Sequence, residues 1–352
     1  MGLMPDAIDD LVELTYNKAD RAKWVDLSLN NQRYSVASRW LKAKKAPTKA
    51  TPKQTWKLQV SNTDAFRWTN LYSVDEYDVK NLAVGAEQPW AIATSNYVYD
   101  INEEEFQGGN REIIIDLIVM REHSMYSNLY EGLESAFWSA PSSSTLAKRP
   151  LSGIPFWLQK NATVGFNGGD PSGFAAGAGG VSTGTYINWS NYSGAYVSVT
   201  RNDLISKWLK ATEFTHFESP HQFPQNGGGD PDWMFYTTYS VYEAAQQFLD
   251  ARNDNLSDLA GTGAKGRPTF KGVPLQWIPE LTHSTQDGYD SANPLYGVNW
   301  NTMDFAFLKG KDMVRTKPQK KDNQHNVRVV HVDSSCNLRC NDRRQNFVLH
   351  VA

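Results

Sequence analysis

Cysteine is almost missing from this chain: Cys336 and Cys340 are the 2 present in 352 residues. Two thiols cannot supply a four-cysteine zinc site, and a disulfide closing the short span "CNLRC" would be strained. The default expectation is a pair of free, partly buried thiols. Long apolar runs are also lacking. No stretch approaches the roughly 18 residues that a membrane-spanning helix needs. The opening "MGLMPDAIDDLVELTYNKAD" has neither the basic nor the apolar region of a secretory signal. No membrane partner is therefore expected. Charge of one sign is scarce as well: a formal net charge of -3 gives no overall basic surface with which to coat nucleic acid. Leu, Ile and Val are not unusually plentiful. What is plentiful is aromatic, with 12 Trp, 16 Tyr and 15 Phe. Such side chains supply large contact area with few rotatable bonds, as interfaces and stacking grooves both require.

Catalytic and cofactor motifs fare poorly. "AGTGAKGRP" matches G-x-G-x-x-G at Gly261, Gly263 and Gly266, with Lys265 inside it. A dinucleotide loop must leave a strand and open a helix, whose N-terminus holds the pyrophosphate. Here the glycines follow a helical pattern, and Arg267 and Pro268 lead into a strand-like stretch, so the motif reads as a loop. "HFESPH" places His216, Glu218 and His221 close in sequence, but the spacing and Pro220 deny them a shared helix face. Cys336 and Cys340 with His331 and His350 lie at unhelpful spacings for zinc. Glu103, Glu104 and Glu105 form an acidic turn, favourable ahead of a helix N-terminus. No G-x-S-x-G elbow and no HExxH occur. No cofactor, no metal and no enzymatic activity are expected.

The chain divides by pattern. Residues 1–45 begin with an amphipathic stretch, "DAIDDLVELT", followed by an arm, "RWLKAKKAPTKATPKQ", whose Lys42, Lys44, Lys45, Lys49 and Lys53 with Pro47 and Pro52 predict an extended, mobile segment. "TWKLQV" alternates with period two, and "FRWTNLYSV" reads as its returning strand in a long hairpin. The aromatics there are too many for a small local core. From about 110 to 140 one long helix is predicted, with Ile114, Ile118, Met125, Leu129 and Phe137 on a core stripe and Arg121, Glu122, Asn128, Glu131 and Glu134 largely off it. Pro141 stops it. Residues 141–190 read as a long Gly- and Ser-rich loop. A helix follows near "TRNDLISKWLKATEF", with Thr200 or Asn202 as its cap, and then short strands and another helix. Without βαβ regularity the fold class is α+β.

The order of these features, with the phrases "EEEFQGGNREIIIDLIVMREHSMYSNLYEGLESAFW", "PLSGIPFWL", "VTRNDL", "DNLSDLA", "LYGVNW" and "NLRCNDRRQNFVL", resembles the major capsid proteins of tailed bacteriophages, with their Hong Kong 97-type fold. The resemblance covers about residues 10 to 350. It implies an N-terminal arm over 1–45 and an extended hairpin loop over 46–99. A peripheral domain would hold 100–195 and 325–352 with the spine helix at about 110–140, and an axial domain 196–324. It implies a structural subunit that self-assembles into hexamers and pentamers, forming an icosahedral head around double-stranded DNA. Trp56, Phe66, Trp68 and Tyr72 would be buried by neighbouring subunits. A portal, a separate scaffolding protein and a decoration protein are the further implied partners, and the implied location is the virion, assembled in the bacterial cytoplasm. Two other readings use the same features: a carbohydrate-binding protein that stacks sugars on its aromatic loops, and an encapsulin-like compartment shell.

Overall fold

The computed structural model of the chain describes residues 34–42, 46–48, 51–61, 66–72, 74, 81–102, 111–146, 148, 150–216, 232–250, 268–321 and 324–352. Its longest strand, β14 (Gln324–Cys340), organises one side of the molecule. Every second residue from Val330 to Cys340 is buried (Val330, Val332, Ser334, Cys336, Leu338, Cys340), the period that a pleated strand imposes on one covered face. β14 pairs antiparallel with β4 (Ala91–Asp100), β11 (Met303–Leu308), β12 (Val314–Arg315) and β13 (Gln319–Lys321). β1 (Ala46–Thr48) adds to β11 in parallel, completing a 6-stranded sheet.

A second, 7-stranded sheet runs β5 (Gly165–Gly168), β6 (Asn191–Tyr196), β15 (Phe347–Val351), β10 (Leu295–Asn299), β7 (Trp233–Thr237), β9 (Val273–Trp277) and β8 (Thr269–Phe270). Parallel and antiparallel pairs are mixed and no βαβ repeat appears, an α+β arrangement. β11 to β13 join the β14 sheet, and the C-terminal β15 joins the other sheet.

The helix α2 (Arg111–Trp138) lies on the first sheet. Its 28 residues at 1.5 Å each span about 42 Å. Met125, Leu129 and Phe137 are buried, as is Leu133, and Ile118 packs half-buried against the same core. The side chain of Ile114 lies outside the described residues. The C-terminal end of α2 ties the two sheets together. Phe137 meets Phe305 of β11 edge-on at 5.7 Å, while Trp138 meets Tyr236 of β7 at 5.1 Å and Tyr296 of β10 at 6.2 Å.

Glu134 departs from its expected place off the stripe: it is fully buried. Its carboxylate accepts the backbone N–H of Val36 (3.1 Å) and Ala37 (2.7 Å) and the indole N–H of Trp138 (2.8 Å). The first two are orphan donors of the first turn of α1 (Ser35–Lys42), so a residue 98 positions away caps that helix. Burial pushes the carboxyl up from its ordinary range against these donors. The stretch from Tyr34 to Lys42, where the expected arm begins, is docked. Val36, Ala37 and Trp40 are buried, Trp40 meets Phe307 at 5.1 Å, and Arg39 pairs with Asp232 and covers Trp300 at 4.9 Å. Sequence spacing could not show this, since the cap and the capped turn meet only in the fold. Glu134→Ala is expected to cost about 3 kcal/mol by leaving buried donors unmade. Urea unfolding of the variant, with protease mapping of α1, checks it.

Two more expectations change. The loop over 141–190 carries part of the core: Leu151, Ile154, Phe156, Trp157, Leu158, Phe174, Val181 and Trp189 are buried, and it holds a short helix α3 (Ile154–Trp157) that has Pro in its first turn. The helix near 201–215 opens with a π turn, Arg201–Ile205, and continues as α4 (Ser206–Thr215). Thr200 occupies the N-cap position without a side-chain bond, and Asp203 instead accepts the N–H of Val197 and Ser198.

Candidate assembly surface

β2 (Lys53–Gln59) pairs antiparallel with β3 (Ala83–Pro89), Gln54 opposite Gln88 and Trp56 opposite Ala86. The expected returning strand, "FRWTNLYSV", is not one. Its described residues sit at the far end of this hairpin, outside any strand, and residues 62–65 lie outside the described residues. Gly85 lies in β3 opposite Lys57, with open space where a Cβ would stand.

The two ends of the hairpin differ sharply in exposure. At the root, Leu58 and Ala86 are buried in the main core, and Trp56 packs half-buried against Trp157 at 6.3 Å. Trp56 therefore has a partner inside its own subunit. At the far end, Phe66 is 81% exposed, Trp68 92%, Leu71 89%, Tyr72 100% and Val74 86%. Phe66 and Trp68 meet edge to face at 5.5 Å, and Arg67 donates to the carbonyl of Val74 at 3.3 Å. Tyr72 has φ 70°, a backbone region unfavourable for a bulky residue. Single exposed apolar side chains are ordinary; five within residues 66–74 make this stretch the candidate interaction surface. Sequence reading singled out Phe66, Trp68 and Tyr72; Leu71 and Val74 belong with them and lay in the same quoted stretch.

Elsewhere among the described residues most of the large aromatic side chains are absorbed internally. Trp40, Trp138, Trp157, Tyr192, Tyr196, Tyr236, Tyr296, Phe137, Phe156, Phe235 and Phe347 are all fully buried, so aromatic rings do the packing that Leu and Ile do in most cores. The Arg343 guanidinium is buried beside them. Arg343 donates to the carbonyls of Trp157 (2.7 Å) and Gly169 (3.0 Å) and to Asn191 Oδ1 (3.1 Å), with Trp189 at 5.9 Å beneath its guanidinium. Burial lowers its pKa to about 10. Arg343→Lys is expected to cost roughly 3 kcal/mol, because one ammonium cannot reach three acceptors in different directions. A chevron or equilibrium urea series checks it.

The chemistry-bearing candidates do not converge. Cys336 and Cys340 are free and buried on β14, and four residues of extended strand hold them about 13 Å apart. Burial pushes the Cys336 thiol up to about 12 and the Cys340 thiol upward too, away from nucleophilic thiolate. His331 stands on β14 opposite Asn96, whereas His350 is on β15 in the other sheet. Among the described residues no group of three or more His, Cys, Asp or Glu is placed to hold a metal. Glu103, Glu104, Glu105, Glu218, His221, Gly261, Gly263, Lys265 and Gly266 lie outside the described residues. Within them no helix is long and apolar enough to cross a membrane.

The architecture itself is informative. The capsid asymmetric unit of cyanophage A-1(L) superposes on this chain with a TM-score of 0.62 at 11% identity, covering 96% of this chain and 98% of that one. This chain has the fold of a phage capsid protein. The same capsid fold relates it to the capsid of a native GTA particle (TM-score 0.55, 10% identity, 94% and 95% covered) and to Gordonia phage Cozz (0.53, 11%, 94% and 89%). No protein family and no curated protein matches the chain. The capsid fold thus persists here at an identity too low to carry individual residue roles.

Proposed function

We propose that this chain is the major capsid subunit of a tailed phage. It self-assembles into hexamers and pentamers that close an icosahedral head around double-stranded DNA. The observation that carries the reading is the capsid fold extending over 96% of this chain and 98% of the cyanophage capsid chain. The exposed aromatic end of the β2–β3 hairpin supports it, being a surface suited to burial by a second copy. In this reading α2 is the spine of a peripheral domain built on the β14 sheet, and the 7-stranded sheet belongs to an axial domain. The N-terminal arm covers residues 1–45. The extended loop, taken from sequence as 46–99, narrows to the projecting hairpin 53–89, since β1 and β4 are built into the β14 sheet. The role is structural rather than catalytic. Portal, scaffolding and decoration proteins are its partners, and the virion its destination after assembly in the bacterial cytoplasm.

The test is expression of the full chain, alone and with candidate scaffolding partners, followed by light scattering and negative-stain microscopy. Closed particles of megadalton mass are expected. A 39.6 kDa monomer under every condition overturns the proposal, and its retention on a glycan array would favour the carbohydrate-binding reading. Closed shells filled with protein cargo instead of DNA would favour an encapsulin-like compartment.

A further inference from the structure

We propose that β4 is an assembly edge. Two copies of this chain join through it, antiparallel about a two-fold axis at Ser95, so that their two β14 sheets become one. β4 (Ala91–Asp100) pairs with β14 along one side, from Ala91 to Asp100 without a bulge. No strand among the described residues takes its other side. Backbone groups alternate between the two sides of a strand, and three contacts fix which residues face the open one. The Ile101 N–H bonds the Asn326 carbonyl at 3.1 Å, so the odd-numbered residues of β4 bond β14. On β14 the His331 carbonyl accepts the Thr316 N–H, so its odd-numbered residues bond away from β4. The Val98 carbonyl accepts from Arg121 of α2 at 3.2 Å, a contact on the open side that a paired strand replaces. Ile92, Thr94, Asn96 and Val98 therefore direct their N–H and C=O groups to the free edge. Their side chains also share one face: Ile92 is 73% exposed, Val98 40%, and Thr94 and Asn96 are exposed between them.

A long open edge is a template for another strand, and proteins that stay single blunt it with lysine, proline or a bulge. Between Ala91 and Tyr99 there is no charged residue, no proline and no bulge. The strand that fits this edge is a second β4. With the axis at Ser95, Ile92 of one copy stands opposite Val98 of the other, and Thr94 opposite Asn96. Apolar meets apolar at both ends and hydroxyl meets amide in the middle. Asp100 meets Trp90, so no like charges oppose. All four outward residues then fall in hydrogen-bonded pairs, each exchanging two bonds, for about eight main-chain bonds across the seam. A slip of two residues sets Ile92 against Asn96 or Asp100, and a slip of one faces outward groups with groups already bonded to β14. The match is self-complementary, as a two-fold contact requires. On α2, Ser124 and Asn128 are exposed on the same flank as Arg121, and such small polar side chains leave room for a neighbouring α2. Contacts inside a five- or six-membered ring are heterologous, so in the capsid reading this seam joins one ring to the next.

The experiment places one reactive cysteine on the full chain by Asn96→Cys, since Cys336 and Cys340 are buried. In the proposed register the two copies of position 96 lie about 9 Å apart across the axis, within reach of a short bis-maleimide. A cross-linked dimer is expected, joined 96 to 96 by peptide mass spectrometry. Thr94→Pro in that background should cut its yield about tenfold or more, because proline removes an outward N–H and no bond to β14. A pair of charge variants at exposed positions keeps every N–H. Ile92→Lys/Val98→Lys opposes like charges in this register and should lose the cross-link too. Ile92→Glu/Val98→Lys opposes unlike charges and should restore it. Circular dichroism melting checks that each variant is folded. The proposal is overturned by the absence of a 96-to-96 cross-link, by a cross-link from 96 to another segment, or by equal yields from the two charge variants. The cross-link is scored in soluble subunits, so its failure leaves the capsid reading standing, and a failure to form particles leaves this proposal standing.

Discussion

Leu129→Asp is expected to abolish folding of the subunit. Leu129 is 6% exposed at the middle of α2, in line with Met125, Leu133 and Phe137, and this stripe joins the helix to the β14 sheet. A carboxylate there has no cationic partner among the residues of that stripe. Burying it costs several kcal/mol, added to the lost burial of the leucine side chain. The sum, on the order of 5 kcal/mol or more, is comparable with the whole stability of a typical domain. Circular dichroism and urea unfolding should find no cooperative transition, and the protein should partition into the insoluble fraction. A well-folded Leu129→Asp would mean that the stripe is not core. Leu129→Met, which conserves volume, should stay within about 1.5 kcal/mol of wild type.

The triple substitution Phe66→Ser, Trp68→Ser and Tyr72→Gly should do the opposite: leave the subunit folded and prevent shells. These side chains are 81%, 92% and 100% exposed, so their removal takes little from the subunit core. Glycine at 72 also relieves the φ of 70°. The melting temperature should therefore change by no more than about 2 °C. In an assembly interface, exposed aromatics of this kind each carry about 2 kcal/mol or more, and three lost from every copy should abolish closed particles in the scattering assay. Shells at the wild-type yield would remove the hairpin end from the assembly interface. The contrast between the variants separates folding from association, which a deletion of the entire hairpin could not do, because Leu58 and Ala86 at its root are core residues.

Local pattern explains what was legible beforehand. The period of α2 was readable because Ile118, Met125, Leu129 and Phe137 recur on one helix face, and helical periodicity needs no distant partner. The exposed cluster was readable for a related reason: Phe66, Trp68 and Tyr72 stand within one short stretch whose own surroundings offered nothing to cover them. The terminal strands, "HNVRVVHVD" and "QNFVLHVA", announced themselves by β-branched alternation. Pairing was less accessible. "FRWTNLYSV" has strand-like composition, yet β2 pairs with the plainer "AVGAEQP", because register is set by which face the body covers rather than by propensity.

An α+β chain with a long amphipathic helix and an aromatic-rich hairpin region could be read from the residues alone. These are properties of composition and of near neighbours along the chain. Tertiary structure alone decided that Glu134 caps a helix 98 positions away, that Arg343 is buried against three carbonyl-type oxygens, and that the aromatic surplus mostly fills the core. It also decided that the C-terminal strand joins a different sheet from β14, which precedes it. In each case the residue's role follows from a partner brought near by folding, and a polar side chain carries no mark in sequence of whether water or a distant backbone group will satisfy it.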